Sequence, residues 1–320
     1  MFQYQIKKID YKFMVKIGAR MAGPNISKKL GKPYIIADGG LPDYMTTEKG
    51  LYNRETYQQA ETYYVTTQFH WVPPKRLPLD NVDVCCYPIS KKTFEQIENL
   101  KNNSRQVNLE LIKDKVRGKL PTEDELLVDL VITGDYVQHI NRVTYGAWLT
   151  ARQYDMVVGY LRRFITDLGE TYDQVYVFMD ADLLHVVSDL KSRYGNLNFL
   201  TFKEDWDMEV ELVMKAASDV TISRATNYQP YIAALEKGCN ITTPVPAEGY
   251  MDEDSAALQY AKMGYTKLIE YDDENYIKEF RAFIDDRNQH LMIADNHRNN
   301  DFIQEKNLIK IIKDRANKPY

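Results

Sequence analysis

The segment from Ala216 to Pro244, AASDVTISRATNYQPYIAALEKGCNITTP, restricts the fold more than any other part of the chain. It reads as an apolar strand over Val220–Ile222, a polar turn over Ser223–Tyr228, a helix over Pro230–Lys237 stopped by Gly238, and a second strand over Asn240–Thr243. Two short strands joined through a helix form a βαβ unit, and the strands of such a unit run parallel. A parallel sheet has both faces covered by its crossover helices. In such sheets ligands collect outside the carboxyl ends of the strands, which is where this turn lies. The helix N-terminus adds unpaired N–H groups that favour an anion. Arg224, Asn227, Tyr228 and Tyr231 supply polar and aromatic groups at the same mouth.

The pattern is regular from about residue 126 onward. Strands are expected at Leu127–Thr133, Gln174–Met179, Leu197–Phe202 and Lys267–Ile269, besides the two above. Helices are expected at Leu149–Leu168, Leu183–Tyr194, Met208–Ala217, Ser255–Met263 and Glu274–Ile284. A last amphipathic helix is expected over Asp301–Ala316. Before residue 126 the pattern is poorer. Lys12–Lys29 reads as a helix ended by Gly31 and Pro33, and Pro33–Ala37 as a strand running into the turn Asp38-Gly-Gly-Leu-Pro-Asp43. Arg54–Thr62 reads as a helix, Tyr63–Gln68 and Val82–Tyr87 as strands, and Lys91–Asn102 as a helix. The charged stretch 103–125, with Gly118 and Pro121, reads as a linker. The domains expected are 1–125, 126–295 and a C-terminal helix over 296–320.

Composition narrows the function classes. A chain of 320 residues fits about two domains. Its 41 basic and 46 acidic side chains give a net −5, so the chain as a whole is no electrostatic match for nucleic acid. Cys85, Cys86 and Cys239 form no disulfide framework and no CxxC metal spacing. No run approaches the ~20 apolar residues of a membrane span. The N-terminus lacks the apolar core of a secretory signal, and a cytoplasmic location is expected.

The order of elements, with the strand, turn and small-residue helix of 216–244, resembles the C-terminal domain of GT-B glycosyltransferases, where the matching segment holds the nucleotide sugar. The resemblance covers 126–295 well and 1–125 loosely. It implies an α/β fold of two Rossmann-like domains facing a cleft, with parallel sheets and the first domain reduced. The implied activity is hexosyl transfer from a nucleoside diphosphate sugar to a hydroxyl, on a glycan or a modified DNA base, with no obligatory metal.

In that family a glycine-bearing loop and a nearby cation meet the donor phosphates, which here points to Gly146 and Arg152. A fixed cation stabilises the charge that grows on the leaving diphosphate. The loop after Leu197–Phe202 would meet the nucleotide base, through Phe202 or Lys203. Ser223, Arg224, Asn227, Tyr228 and Tyr231 would hold the donor. Many retaining members carry two glutamates in this turn and helix, and this chain has Ala225 and Ala233 in their place. The acceptor hydroxyl needs a general base from the first domain. Asp38 is the first choice and His70 the second, with Gly18, Arg20, Gly39 and Gly40 forming the acceptor wall.

One stretch offers a rival chemistry. Val175-Tyr-Val-Phe-Met-Asp180-Ala-Asp182 is similar to the DxD motif of metal-dependent GT-A transferases, whose two carboxylates hold a divalent cation. The plainer expectation is that Asp182 caps the helix that follows. A non-catalytic, degenerate transferase acting as a binding subunit is the other alternative.

Overall fold

The computed structural model describes residues 12–17, 22–38, 55–66, 81–85, 91–130, 151–205, 207–222, 235, 238–242, 261–262, 264, 266–270, 275–298 and 308–318. The chain divides into two compact units. The first comprises Met1–Ser90, Asn227–Pro230 and Asn300–Tyr320, and the second Lys91–Thr226 and Tyr231–Asn299.

The first unit holds four parallel strands, β1 (Met14–Ile17), β2 (Tyr34–Asp38), β3 (Thr62–Thr66) and β4 (Val82–Cys85), in the spatial order β1-β2-β3-β4. Helix α1 (Ala22–Lys29) links the first two. It ends where Gly31 takes φ +62, with Gly31 N–H bonded to Lys28 O at 3.2 Å and Lys32 N–H to Ser27 O at 3.0 Å. That is the paired closure of a Schellman motif, and glycine enters its left-handed residue without a Cβ penalty.

The helix expected over Lys12–Lys29 is therefore shorter, because residues 14–17 are β1. Met14 pairs with Tyr34 and Ile17 with Ala37. The run MVKI contains β-branched residues, and the offer of an edge on β2 outweighs its local helical spacing. The helix expected over Arg54–Thr62 shrinks to residues 55–58 for a similar reason, since Thr62 already belongs to β3.

The second unit carries a seven-stranded sheet built from β5 (Val116–Arg117), β6 (Leu126–Asp129), β7 (Val175–Phe178), β8 (Leu197–Phe202), β9 (Val220–Ile222), β10 (Gly238–Thr242) and β11 (Lys267–Glu270). Its order is β11-β10-β9-β6-β7-β8-β5, all parallel except β5, which runs antiparallel to β8. The six parallel strands thus follow the doubly wound order, reversing between β6 and β9.

The helices of this unit are α2 (Lys91–Asn102), α3 (Arg105–Glu110), α4 (Ala151–Thr171), α5 (Leu184–Arg193), α6 (Met208–Ala217), α7 (Tyr276–Asp285) and α8 (Arg287–Arg298). Strand residues alternate between faces. Val128, Leu130, Val175, Val177 and Val220 pack with Leu161, Ile165, Leu168, Val187, Phe280 and Phe283 in one continuous core. Leu127, Tyr176 and Phe178 point the other way and are equally buried, as are Val210, Val213 and Met214 of α6.

Residues 103–125, expected to be a linker, are built into this unit. Ser104 caps α3, accepting from Val107 N–H at 3.4 Å. Arg105 donates to Glu125 O at 2.9 Å and meets Asp219 at 3.3 Å. Gly118 has φ +110, and a Cβ there would stand 2.7 Å from Phe199 O, so only glycine fits beside β8. Helix α8 was not anticipated. Asp286 caps it, accepting from Gln289 N–H at 3.0 Å. The last helix, α9 (Leu308–Ala316), belongs to the first unit, where Leu308, Ile311 and Ile312 pack on Ala37 and Cys85.

Candidate functional site

The reversal of strand order places β6 and β9 side by side, with Val128 opposite Val220 and Asp129 opposite Thr221. In open α/β sheets ligands bind outside the carboxyl ends of the strands at such a reversal. The segments 131–150 and 223–231 follow β6 and β9, so the topology puts the start of both at this reversal. Gly146, Ser223, Arg224, Asn227, Tyr228 and Tyr231 lie outside the described residues. Arg152 is the second residue of α4, at the helix N-terminus, where backbone N–H groups favour an anion. Its side chain is outside the description.

A group of charges that the sequence reading missed lies directly beneath this reversal. Lys215, on α6, is fully buried, with Nζ 3.5 Å from Asp129 Oδ2 and 3.7 Å from Glu211 Oε1. Asp129 closes β6 and is 0% exposed, while the Glu211 side chain keeps 17% exposure. The Thr221 hydroxyl, on the strand residue paired with Asp129, is buried without a hydrogen-bond partner among the described residues. The signal was available in the sequence: Asp129 interrupts the apolar run LLVDLVI, and Lys215 the run VELVMKAA. A charge inside an apolar stretch is buried only when it is paired.

The carboxyl end of β8, two strands from β6, borders a cavity of about 570 Å³. Asp114, Lys115, Lys203, Glu204, Asp205, Asp207 and Met208 line it. Phe202 is 5% exposed and meets Phe178 edge-on at 5.0 Å, so its ring belongs to the core and Lys203 is the exposed group of the pair. The Lys203 main chain is already engaged, its N–H with Lys115 O at 2.8 Å and its carbonyl with Arg117 at 2.7 Å. The Lys203 main-chain groups are thus taken up by Lys115 and Arg117.

Across the cavity wall, Lys115 Nζ bridges Asp207 at 2.9 Å and Glu209 at 2.6 Å. These hydrogen bonds, Glu209 first, raise the Lys115 ammonium above its usual value. The bond from Lys115 is the main reason the Asp207 carboxyl sits below its usual value. Asp207 also caps α6, accepting from Glu209 N–H at 2.8 Å.

Asp38 is the last residue of β2 and so stands at a carboxyl strand end, in the first unit. Its side chain is outside the description, as are His70, Gly18, Arg20, Gly39 and Gly40. The rival metal motif reads differently in the structure. Asp180 follows β7 as the N-cap of a single 3-10 turn, Ala181–Leu183, without a side-chain cap bond. Asp182 lies inside that turn, and the N-cap of α5 is Leu183, so Asp182 does not cap the helix as expected. The 3-10 turn inserts three residues between strand and helix and moves the cap position past both aspartates. Among the described residues no group of three or more His, Cys, Asp or Glu side chains could hold a metal. Nor is any described helix long and apolar enough to cross a membrane.

No family model matches the sequence, and no curated protein matches it either. Solved structures do match. A UDP-N-acetylglucosamine 2-epimerase is 12% identical, with a TM-score of 0.57, covering 99% of this chain and 76% of that one. The trehalose-6-phosphate phosphatase N-terminal domain of Candida albicans is 11% identical, with a TM-score of 0.59, covering 98% and 72%. A glycosyltransferase from Rickettsia africae is 10% identical, with a TM-score of 0.55, covering 98% and 78%. The architecture is the GT-B fold, spanning nearly the whole chain.

Proposed function

We propose that this chain is a glycosyltransferase that moves a sugar, of the hexose class, from a nucleoside diphosphate sugar to a hydroxyl acceptor. The observation that carries the reading is the reversal of strand order between β6 and β9 in a doubly wound sheet of the GT-B fold. The reversal lies two and a half strand spacings from the end of β8, about 12 Å at the usual inter-strand distance. An extended nucleoside diphosphate laid over the strand ends, its phosphates at the reversal and its base towards Lys203, covers that distance.

Each residue then has a definite task. Arg152, Gly146 and the N-terminus of α4 would hold the phosphates and stabilise the leaving diphosphate. Ser223, Arg224, Asn227, Tyr228 and Tyr231 would hold the donor sugar and ribose. Asp38, with His70 as its alternative, would take the proton of the attacking hydroxyl. Gly18, Arg20, Gly39 and Gly40 would line the acceptor side. The acceptor side falls within 1–125, the donor side within 126–295 and the closing helix within 296–320. The reaction needs no metal, since cation and helix N-terminus supply the positive charge. A cytoplasmic location suits a soluble donor.

Ala225 and Ala233 favour a second reading, a degenerate transferase that binds nucleotide sugar without turnover. A thermal-shift panel of nucleoside diphosphates and their sugars tests both. A ligand at 100 times its Kd stabilises the fold by about 2.7 kcal/mol. A shift with sugar released or transferred supports the transferase, and a shift with no turnover supports the binding subunit. No shift with any diphosphate defeats both readings.

A further inference from the structure

The net −5 of the chain conceals an unequal division. The first unit has 17 basic and 11 acidic side chains, a net +6, and the second has 24 and 35, a net −11. Within the first unit, seven of the nine described cations gather at the amino end of the four-stranded sheet, the exceptions being Lys16 inside β1 and Lys310 in the first turn of α9. Lys12 and Lys32 lie just before β1 and β2, and the Met14 N–H bond to Pro33 O, at 3.1 Å, holds those two strand starts together. Lys28 and Lys29 close α1, which returns to the same end.

Contacts bring the close of α9 here as well. Arg315 forms a two-pronged bond to Glu61, just ahead of β3, at 2.6 and 2.5 Å, and stacks 5.5 Å over the Phe13 ring. Lys318 N–H bonds to Arg315 O at 3.2 Å, which holds Lys318 beside it. Glu61 and Glu55 neutralise Arg315 and Lys28. Lys12, Lys29, Lys313 and Lys318 are exposed and make no ion pair among the described residues.

Helix carbonyl ends favour cations, which accounts for lysines in the last turns of α1 and α9. That effect does not account for Lys12 or Lys32 at strand starts, nor for the charge of the whole unit. A surface that is basic while the rest of the molecule is strongly acidic is an electrostatic address for a polyanion.

We infer that the amino end of the first unit's sheet is a binding surface for the phosphate backbone of nucleic acid. Its cations lie on neighbouring strand starts about 5 Å apart, and duplex DNA offers one charge per ~1.7 Å of its axis. A lipid surface would call for large apolar side chains among the cations. At this end only Leu30, 37% exposed, answers to that among the described residues, since exposed Ile17 lies at the far end of β1. The surface reads no base sequence, because phosphate contacts position a protein without carrying sequence information.

The test is fluorescence anisotropy with a labelled mixed-sequence 20-base-pair duplex over a salt series. The full chain is compared with Lys12→Glu/Lys29→Glu/Lys318→Glu and with Lys191→Glu/Lys262→Glu from the second unit. The parent should bind, with log K falling linearly against log salt by about 0.9 per phosphate neutralised. The first-unit variant should flatten that slope by about 2–3, and the second-unit variant should leave it unchanged. All five lysines are exposed and unpaired, so thermal melts should match the parent. No duplex binding at 50 mM salt overturns the inference, as does a first-unit variant with the parental slope. Binding to phosphatidylserine vesicles with none to the duplex replaces the nucleic acid by a membrane and also overturns it. None of these outcomes depends on sugar transfer, so they stand apart from the nucleotide-sugar panel.

Discussion

The two units use the same parts, parallel strands with helical crossovers, and arrive at different surfaces. In the second unit the strand order reverses between β6 and β9, the kind of position where open α/β sheets bind ligands. In the first unit the four described strands advance one place at a time, β1 to β4, with no reversal. The described strands of the second unit have that reversal and those of the first lack it. The first contributes a carboxylate at a strand end, Asp38, and a basic face. Charge follows the same division, at −11 and +6. Topology decides where a ligand can be enclosed, and charge decides what is drawn to the open surfaces.

The largest effect that could break this comparison lies in the first unit. Asp38→Asn keeps the side-chain shape and removes the proton acceptor, so kcat should fall by roughly 10²–10⁴ while donor affinity stays constant. A variant that loses donor affinity instead would give Asp38 a part in nucleotide recognition rather than in proton transfer.

Next in size is the buried charge group beneath β6 and β9. Lys215→Ala strips the partner from a carboxylate with no exposure and should destabilise the second unit by about 3–5 kcal/mol, read from urea unfolding. The double variant Lys215→Met/Asp129→Leu removes both charges and should recover most of that loss. If Lys215→Ala alone melts like the parent, the ion pair does not hold the end of β6.

A smaller effect sharpens the assignment of phosphate binding. Arg152→Ala should cost about 1.5–3 kcal/mol in nucleoside diphosphate affinity, the worth of a charged hydrogen bond. Calorimetry with the free nucleoside should show no difference, because the nucleoside carries no charge for the arginine to meet. Equal losses for both ligands would take Arg152 away from the phosphates.

The smallest effect concerns the clamp beside the β8 cavity. The Lys115 pKa is raised in the fold, so its contribution is complete at neutral pH and fades as pH climbs through the raised value. The Asp207 pKa is lowered, so its contribution is present at neutral pH and fades as pH falls through the lowered value. The melting difference between the parent and Lys115→Met should therefore be flat from pH 5 to 9 and shrink towards zero in acid. Both groups are solvent-screened, so the difference should be small throughout. A difference that grows in acid would mean that Asp207 and Lys115 do not act as a pair.

Much of the second unit was legible from the sequence because its elements are long and strongly patterned. Lys91–Asn102, Leu197–Phe202, Met208–Ala217 and Val220–Ile222 coincide residue for residue with expectation. Asp182 shows where reading fails at short range, because a 3-10 turn displaced the cap by one residue to Leu183. The residues named for the donor turn, Ser223, Arg224, Asn227, Tyr228 and Tyr231, lie outside the described residues. The charges at the β6–β9 reversal, Asp129 and Lys215, stood in the sequence as interruptions of apolar runs, yet nothing local showed that they would meet.

By itself the sequence determined most of the described strands and the longer helices of the second unit, the parallel character of its sheet and the amphipathic last helix. Each depends on contacts between residues close in the chain, and the period of apolar positions records them directly. Only the tertiary structure decided that MVKI is a strand, that 103–125 forms an edge of the sheet, and that α9 joins the first unit through Ala37 and Cys85. Each of these depends on an offer made by a distant segment: an open strand edge on β2, another on β8, an uncovered apolar patch on the four-stranded sheet. A short segment has too weak a local preference to resist such an offer, because one or two tenths of a kcal/mol per residue in propensity is less than a row of ladder hydrogen bonds and a buried face contribute.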